Sequence, residues 1–186
     1  MDNFNFPAPA NKLIIQHKKG KRYDGSLLRL FQSEYFNIHM LFGYLLKKNE
    51  LGVIDYLVNE LYSESLDDLD FYLPQLCYLV LTKEITFSLQ KFILETSRQQ
   101  PNFGMKALLN FLSYSQDKTQ LKEKAADMYG EIEQTLINLE LPPKYGARPF
   151  TDKTMTAFYE KKYREEYFTY TINFWDRLKV IALALK

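Results

Sequence analysis

The sequence predicts an all-α protein built from stacked antiparallel helix pairs, an α-solenoid of the HEAT type. Apolar residues recur three and four positions apart through most of the chain, and no segment shows the apolar–polar alternation of a half-buried strand. The polar connections between the periodic segments are short. Because short connections join helices that lie antiparallel, seven successive amphipathic segments predict stacked helix pairs or a compact bundle.

Length and composition limit the class of protein. With 186 residues, 46% of them hydrophobic and 25% charged, the chain can form one sizeable core with a tail. A net charge of +1 provides no overall field that attracts nucleic acid. The apolar runs are far shorter than the ~20 residues that cross a bilayer, and the single cysteine, Cys77, cannot form an intramolecular disulfide. We expect a cytoplasmic protein with no transmembrane segment and no nucleic-acid partner.

The first segment, residues 1–24, has no lasting helical period. Its prolines and the basic cluster at 18–22 predict a flexible basic arm. A solvated tail is the favoured interpretation, and a contact of the cluster with acidic lipid headgroups is the alternative. Residues 25–139 carry all seven periodic segments and predict one helical domain.

The first three helices follow from apolar spacing. A short helix is predicted around 27–31. Asn37 can cap a second helix over 38–46, because its side chain can accept a hydrogen bond from a backbone amide of the first turn. A third helix repeats the same spacing over 54–62.

The clearest amphipathic stretch, 66–80, predicts the fourth helix. One face carries apolar residues at i, i+3, i+4, i+7, i+8 and i+11, namely Leu69, Tyr72, Leu73, Leu76, Cys77 and Val80. We expect Asp67, Asp68 or Asp70 to cap the start, and Pro74 to lie near the first turn, where backbone donors lack partners. A calcium loop is the alternative for the aspartates, but it needs a glycine and a distal Glu that this stretch lacks.

Three more helices are predicted before the chain breaks. The first covers about 85–96 and ends before Pro101, the second contains 105–112, and the third runs over about 118–138. Three prolines and a glycine within 141–149 exclude a helix, so 140–152 is predicted to be a linker or a docking loop.

A last helix is predicted over 153–186, capped by Thr151 or Asp152. Its apolar positions are spaced 4, 3, 4, 3 and 4 apart, at Tyr167, Thr171, Phe174, Leu178, Ile181 and Leu185. We expect the helix to pack on the domain or to lead to a further domain, with a bend near 169–171, where β-branched residues weaken a helix. The aromatic residues of 158–174 are expected to pack on the preceding helices, with exposure for a protein partner as the alternative.

The sequence lacks the residue patterns of the common catalytic and metal sites. The seven glycines are scattered, so no loop can surround a phosphate. His17, His39 and Cys77 lie in separate segments, whereas a zinc site needs three or four ligands. The run at 102–104, Asn-Phe-Gly, has Asn where the similar kinase motif needs a metal-binding carboxylate. We therefore assign no catalytic, cofactor-binding or metal residue.

Four segments, at 26–31, 34–38, 53–61 and 68–76, resemble a known family. They are similar to the N-terminal lipid-kinase-unique, or PIK, helical domain of type III beta phosphatidylinositol 4-kinases. The resemblance covers about 26–115 and returns weakly at 165–186. Its most characteristic piece is a run to which we give a structural role, and which we call the signature: Asp70, Phe71, Tyr72, Leu73, Pro74, Gln75 and Leu76.

The resemblance implies an accessory domain that supports a lipid kinase in phosphoinositide signalling. It also implies recruiting partners, such as a Rab-family GTPase or a frequenin-like calcium sensor, and peripheral association with Golgi membranes. ATP and Mg²⁺ belong to the kinase domain of such proteins, which lies outside these 186 residues, so we expect this chain alone not to phosphorylate phosphatidylinositol. A stand-alone helical interaction module with no kinase is the alternative.

Overall fold

The computed structural model describes residues 25–116, 120–146 and 155–185, and within them the chain is all-α, as predicted. Eight α-helices and one 3₁₀ turn follow in order: α1 Gly25–Phe31, α2 Ile38–Lys47, α3 Leu51–Leu61, α4 Leu66–Thr82, α5 Phe87–Gln99, α6 Pro101–Gln116, α7 Lys122–Asn138, the 3₁₀ turn Pro143–Tyr145 and α8 Met155–Ala184. The predicted basic arm at 1–24 and the predicted cap at Thr151 or Asp152 lie outside the described residues.

The chain divides into two compact units, Met1–Lys47 and Lys48–Lys186. In the first unit, Phe31 and Tyr44 meet edge to face, with ring centroids 5.2 Å apart, and Phe36 lies against Phe31. The Asn37 Oδ1 accepts a hydrogen bond from the Met40 amide at 3.1 Å, which confirms the predicted cap of α2. The domain limits predicted at 25, 139 and 152 stay predictions.

In the second unit, helices two positions apart in the chain are neighbours. Contacts run from α3 to α5 and from α5 to α7 in one row, and from α4 to α6 in the other. The two rows meet through α5 with α6 and α6 with α7. This is the arrangement of stacked helix pairs. Its fully buried side chains come from every one of these helices and include Leu57, Leu61, Leu73, Leu76, Leu89, Ile93, Leu108, Phe111 and Ile132.

The start of α4 differs from the prediction. The cap is Ser65, whose Oγ accepts a hydrogen bond from the Asp68 amide at 3.1 Å and donates to Asp68 Oδ2 at 2.7 Å. Asp67 and Asp68 lie in the first turn, where their negative charges interact favourably with the positive end of the helix dipole. Pro74 lies in the helix interior, not near the first turn, because α4 already begins at Leu66.

Pro101 separates α5 from α6, as predicted. α5 ends at Gln99, and Pro101 is the first residue of α6, where a missing amide proton has no partner to lose. The Asn-Phe-Gly run that follows has a packing role. A Cβ on Gly104 would lie 2.6 Å from Leu136 Cδ2 and 2.9 Å from Ser97 Cβ, so glycine permits the close approach of α6 to α5 and α7.

The chain after α7 docks on the second unit as far as Gly146. Leu139 ends α7 in the left-handed conformation, with φ 62°. Leu141 and Tyr145 are buried. The Tyr145 hydroxyl lies 3.0 Å from Gln90 Oε1 on α5 and 3.0 Å from Glu131 Oε2 on α7. This part of the proline-rich segment therefore packs on α5 and α7, whereas 147–152 lie outside the described residues.

The last helix, α8, is continuous over 30 residues and shows no break at the predicted bend at 169–171. Its first half is anchored through the buried Arg164 and Phe168, and the Tyr167 hydroxyl donates to Asn102 Oδ1 on α6 at 2.8 Å. The expected packing of the aromatic residues of 158–174 is wrong for five of them, which are exposed: Phe158, Tyr159, Tyr163, Tyr170 and Phe174.

Candidate protein-interaction surface

The residues of the signature lie on two faces of α4, an inner face in the core and an outer face toward solvent. Leu73 and Leu76 are buried in the core, as predicted. Tyr72, which was expected on the apolar stripe, is only half-buried. The other residues at 70–76 lie toward the outside, and Phe71 is 70% exposed. One helix therefore supplies both core packing and an apolar surface.

The outer face of α4 carries two aromatic rings two helical turns apart. Phe71 and Tyr78 are both exposed and are separated by seven residues, about 10 Å along the helix. Pro74 and Gln75 lie between them and are also exposed. These four residues, at i, i+3, i+4 and i+7 on one helical stripe, form what we call the α4 surface.

Neighbouring contacts hold the α4 surface in place. Phe71 meets Tyr72 edge to face, with ring centroids 5.0 Å apart. The Asp70 carboxylate forms an ion pair with Lys106 on α6, which ties the start of the surface to the adjacent helix. At the far end of α4, Lys124 Nζ donates to the carbonyl oxygens of Leu81 and Lys83, at 3.4 and 3.2 Å. The rings are thus presented by a rigid helix.

Several polar side chains join the helices without forming a reactive site. The Tyr62 hydroxyl donates to Glu95 on α5 at 2.5 Å, and Ser88 on α5 donates to Asp55 on α3. Burial and the nearby Glu95 carboxylate raise the pKa of Tyr62. Burial likewise raises the pKa of Cys77 far above its ordinary value, so its sulfur stays a protonated thiol inside the core.

Within the described ranges, no group of three His, Cys, Asp or Glu side chains is arranged to hold a metal ion. None of the helices found there is long and apolar enough to cross a membrane.

Residues 40–111 match the family model described as "PI4KB/PIK1, accessory (PIK) domain". This part of the chain is similar to the PIK domain of the phosphatidylinositol 4-kinase beta type. This match runs from α2 into α6 and contains the whole signature, which confirms the resemblance seen in the sequence.

The chain also matches curated relatives. Phosphatidylinositol 4-kinase beta from Sorex araneus, Bos taurus and Homo sapiens is 32% identical to the chain over 127 residues. The matched stretch is 66% of this chain and 15% of each relative. No solved structure matches the chain.

The sequence predicts the helix that carries the α4 surface but indicates only a structural role for its residues. Phe71 and Tyr78 were not identified as a pair, although both lie outside the apolar stripe of 66–80. An aromatic residue on the polar side of an amphipathic helix is the signal that could have indicated them.

Proposed function

We propose that this chain is an accessory domain that binds recruiting proteins through the α4 surface and supports a lipid kinase of the phosphatidylinositol 4-kinase beta type. The observation that carries the proposal is the exposure of Phe71 and Tyr78 on a helix whose opposite face is fully buried. A rigid helix presents both rings at little entropic cost, and aromatic residues are enriched in protein interfaces.

The chemistry of the α4 surface favours a protein partner with an apolar groove. Two aromatic anchors at i and i+7 on one helical face are part of the pattern that helix-binding grooves recognise. Calcium sensors expose such a groove on binding calcium, so a frequenin-like sensor is one partner class, and a Rab-family GTPase is the other. The peripheral membrane location that we propose, at the Golgi, follows from these recruiters and not from a membrane-inserting helix.

The proposal is tested by isothermal titration calorimetry of the purified chain. The titrants are calcium-loaded frequenin-like sensors and GTP-loaded Rab-family GTPases. Phe71→Asp should weaken binding at least about tenfold, because it replaces a central aromatic anchor with a charge. Phe158→Asp is the matched control, since Phe158 is an exposed phenylalanine on α8, and it should leave the affinity within about twofold.

Two results would contradict the proposed surface. One is the absence of binding by the wild-type chain to members of both partner classes. The other is an equal loss of affinity in the Phe71 and Phe158 variants, which would place the contact elsewhere.

The stand-alone interaction module stays a second candidate, because the matched stretch is only 15% of each relative. The coding sequence downstream of codon 186 distinguishes the two. Kinase motifs in the same reading frame support the accessory domain of a kinase, and a stop codon in the intact gene supports the stand-alone module.

A further inference from the structure

The segment 49–82, which contains α3 and α4, is strongly acidic. It carries seven carboxylates and no lysine, arginine or histidine, whereas the whole chain has a net charge of +1. The seven carboxylates are those of Glu50, Asp55, Glu60, Glu64, Asp67, Asp68 and Asp70. Such an excess of one charge within one part of a chain creates a local field that attracts groups of the opposite charge.

Four of these carboxylates are left without a cation. The other three are engaged within the fold, two of them in ion pairs with Lys48 and Lys106 and one as the acceptor of a hydrogen bond from Ser88. Among the residues that the structure describes, the remaining four have no ion-pair partner. We call these four the acidic patch: Glu60, Glu64, Asp67 and Asp68.

The acidic patch adjoins the α4 surface. Asp67 and Asp68 are exposed and precede Phe71 by four and three residues, so they lie on the same stripe of α4, one turn before the ring. Glu60 lies near the end of α3 and Glu64 in the loop that follows. Burial raises the pKa of Glu64, and the Asp68 and Glu60 carboxylates raise it further, because these like charges lie close together.

The charge on this stripe is confined to one end. Residues 71–82 of α4 carry no charged side chain, so the part of the stripe that holds Phe71 and Tyr78 is apolar or neutral. A metal ion does not explain the acidic end, since the carboxylates in the described part of the chain form no group of three that could hold one. The stripe is therefore suited to a partner that is basic at one end and apolar along the rest.

We propose that the α4 surface binds a protein whose apolar groove is bordered by lysine or arginine at the end that receives the start of α4. This inference rests on the proposed function of the α4 surface and specifies the chemistry of the partner. Phe71 and Tyr78 enter the groove, and the acidic patch meets the basic border, which fixes the direction in which α4 lies. A groove bordered by carboxylates, or an anionic membrane surface, would meet like charge instead.

The charges and the rings act on different rate constants. Charges at the border of an interface speed the encounter with a partner of opposite charge, and salt screens this effect. An anchor in the centre of the contact mainly sets the rate of dissociation. Asp67 should therefore affect association and Phe71 dissociation, so the two contributions can be measured separately.

Stopped-flow association kinetics test the inference, with calcium-loaded frequenin-like sensors and GTP-loaded Rab-family GTPases as the probes. At about 50 mM salt, Asp67→Asn should slow association about twofold and Asp67→Lys at least about fourfold, because the two variants remove one and two units of negative charge. At about 0.5 M salt, where charges are screened within a few ångströms, both differences should shrink to less than about 1.5-fold. The dissociation rates should stay within about twofold of wild type.

Glu166→Lys is the matched control. Glu166 is an exposed carboxylate on α8, and its replacement changes the net charge of the chain by the same amount as Asp67→Lys. Its association rate should stay within about 1.5-fold of wild type, because the charge lies on another helix. Circular dichroism should show unchanged helix content for the variants at both positions, since both side chains are exposed.

The outcomes separate this inference from the proposed function. If a probe is weakened by Phe71→Asp but associates as fast or faster with Asp67→Lys, the basic border is overturned and the proposed function of the α4 surface stands. Equal slowing by Glu166→Lys also overturns the basic border, because it shows an effect of net charge alone. A wild-type chain that binds none of the probes overturns the proposed function and, with it, this inference.

Discussion

Gly104, which has no side chain, sets how closely α6 approaches α5 and α7. Gly104→Ala should destabilise the chain by about 1–2 kcal/mol, because the added Cβ would lie 2.9 Å from Ser97 Cβ, and this crowding outweighs the helix propensity that alanine gains. Urea unfolding followed by circular dichroism measures the change in the free energy of unfolding.

Gly130 provides the matched control for this substitution. It also lies inside a helix, α7, but a Cβ added at that position would meet no neighbouring atom within 4 Å. Gly130→Ala should therefore stabilise the chain by about 0.5–1 kcal/mol, through helix propensity alone. Opposite signs for the two glycines support the close approach of α6, and stabilisation by both would contradict it.

Tyr145 links stability to alkaline pH. Burial and the Glu131 carboxylate raise the pKa of this phenol above the unfolded-state value of about 10. A group with a raised folded-state pKa contributes stability that is fully present below the unfolded pKa and is lost as pH rises toward the folded pKa. Its contribution should thus be constant at neutral pH and fall above about pH 10.

The comparison with Tyr145→Phe isolates this contribution. At pH 7 the variant should be less stable by about 1 kcal/mol, because it loses the hydrogen bond to Gln90 or Glu131. Above about pH 10 the difference in unfolding free energy between the two proteins should shrink. A difference that is the same at pH 7 and at about pH 11 would show that the phenol of Tyr145 titrates normally.

At the scale of the elements, apolar spacing was enough to predict each helix of the second unit, because burial of one face decides both the period and the position of a helix. Ends were harder. Ser65 caps α4 although three aspartates follow it, since the cap depends on which side chain precedes the first helical residue. Pro74 lies in the interior because the packing of Leu69 and Leu73 outweighs its local cost.

The final helix shows the limit of spacing as evidence. The repeat from Tyr167 to Leu185 was correctly predicted to be helical, and α8 includes it almost to its end. The same repeat does not specify what covers the apolar row, and the structure leaves that row exposed from Phe174 onward. Apolar periodicity predicts which face of a helix is suited to burial. It does not predict which surface packs against that face, because that surface belongs to another part of the structure.

The candidate site was predicted in part. The signature at 70–76 indicated the helix and the similarity to PIK domains, and Leu73 and Leu76 are buried as expected. The alignment of Phe71 with Tyr78 follows from their spacing of seven residues, whereas the contact of α4 with α6 follows from tertiary packing. The ion pair of Asp70 with Lys106 also depends on tertiary packing, because its partners are 36 residues apart in the chain.

At the scale of the whole molecule, the stability of the second unit comes from the stacking of several helix pairs. One pair alone could not bury its apolar faces. The two rows of helices contact each other through α5, α6 and α7. The loss of one core side chain should therefore lower the stability of the whole stack of helices. Small domains have only about 5–15 kcal/mol of net stability, so a charge placed in this core should remove a large part of it.

The central prediction is that α4 is a core helix with one buried inner face and one exposed outer face. Urea unfolding of Leu76→Asp and Phe71→Asp, side by side, tests it most directly. The Leu76 side chain is fully buried, so its variant should lose about 3–5 kcal/mol, whereas the exposed Phe71 variant should stay within about 0.5 kcal/mol of wild type. Equal losses, or a Leu76 variant as stable as the wild type, would contradict the account.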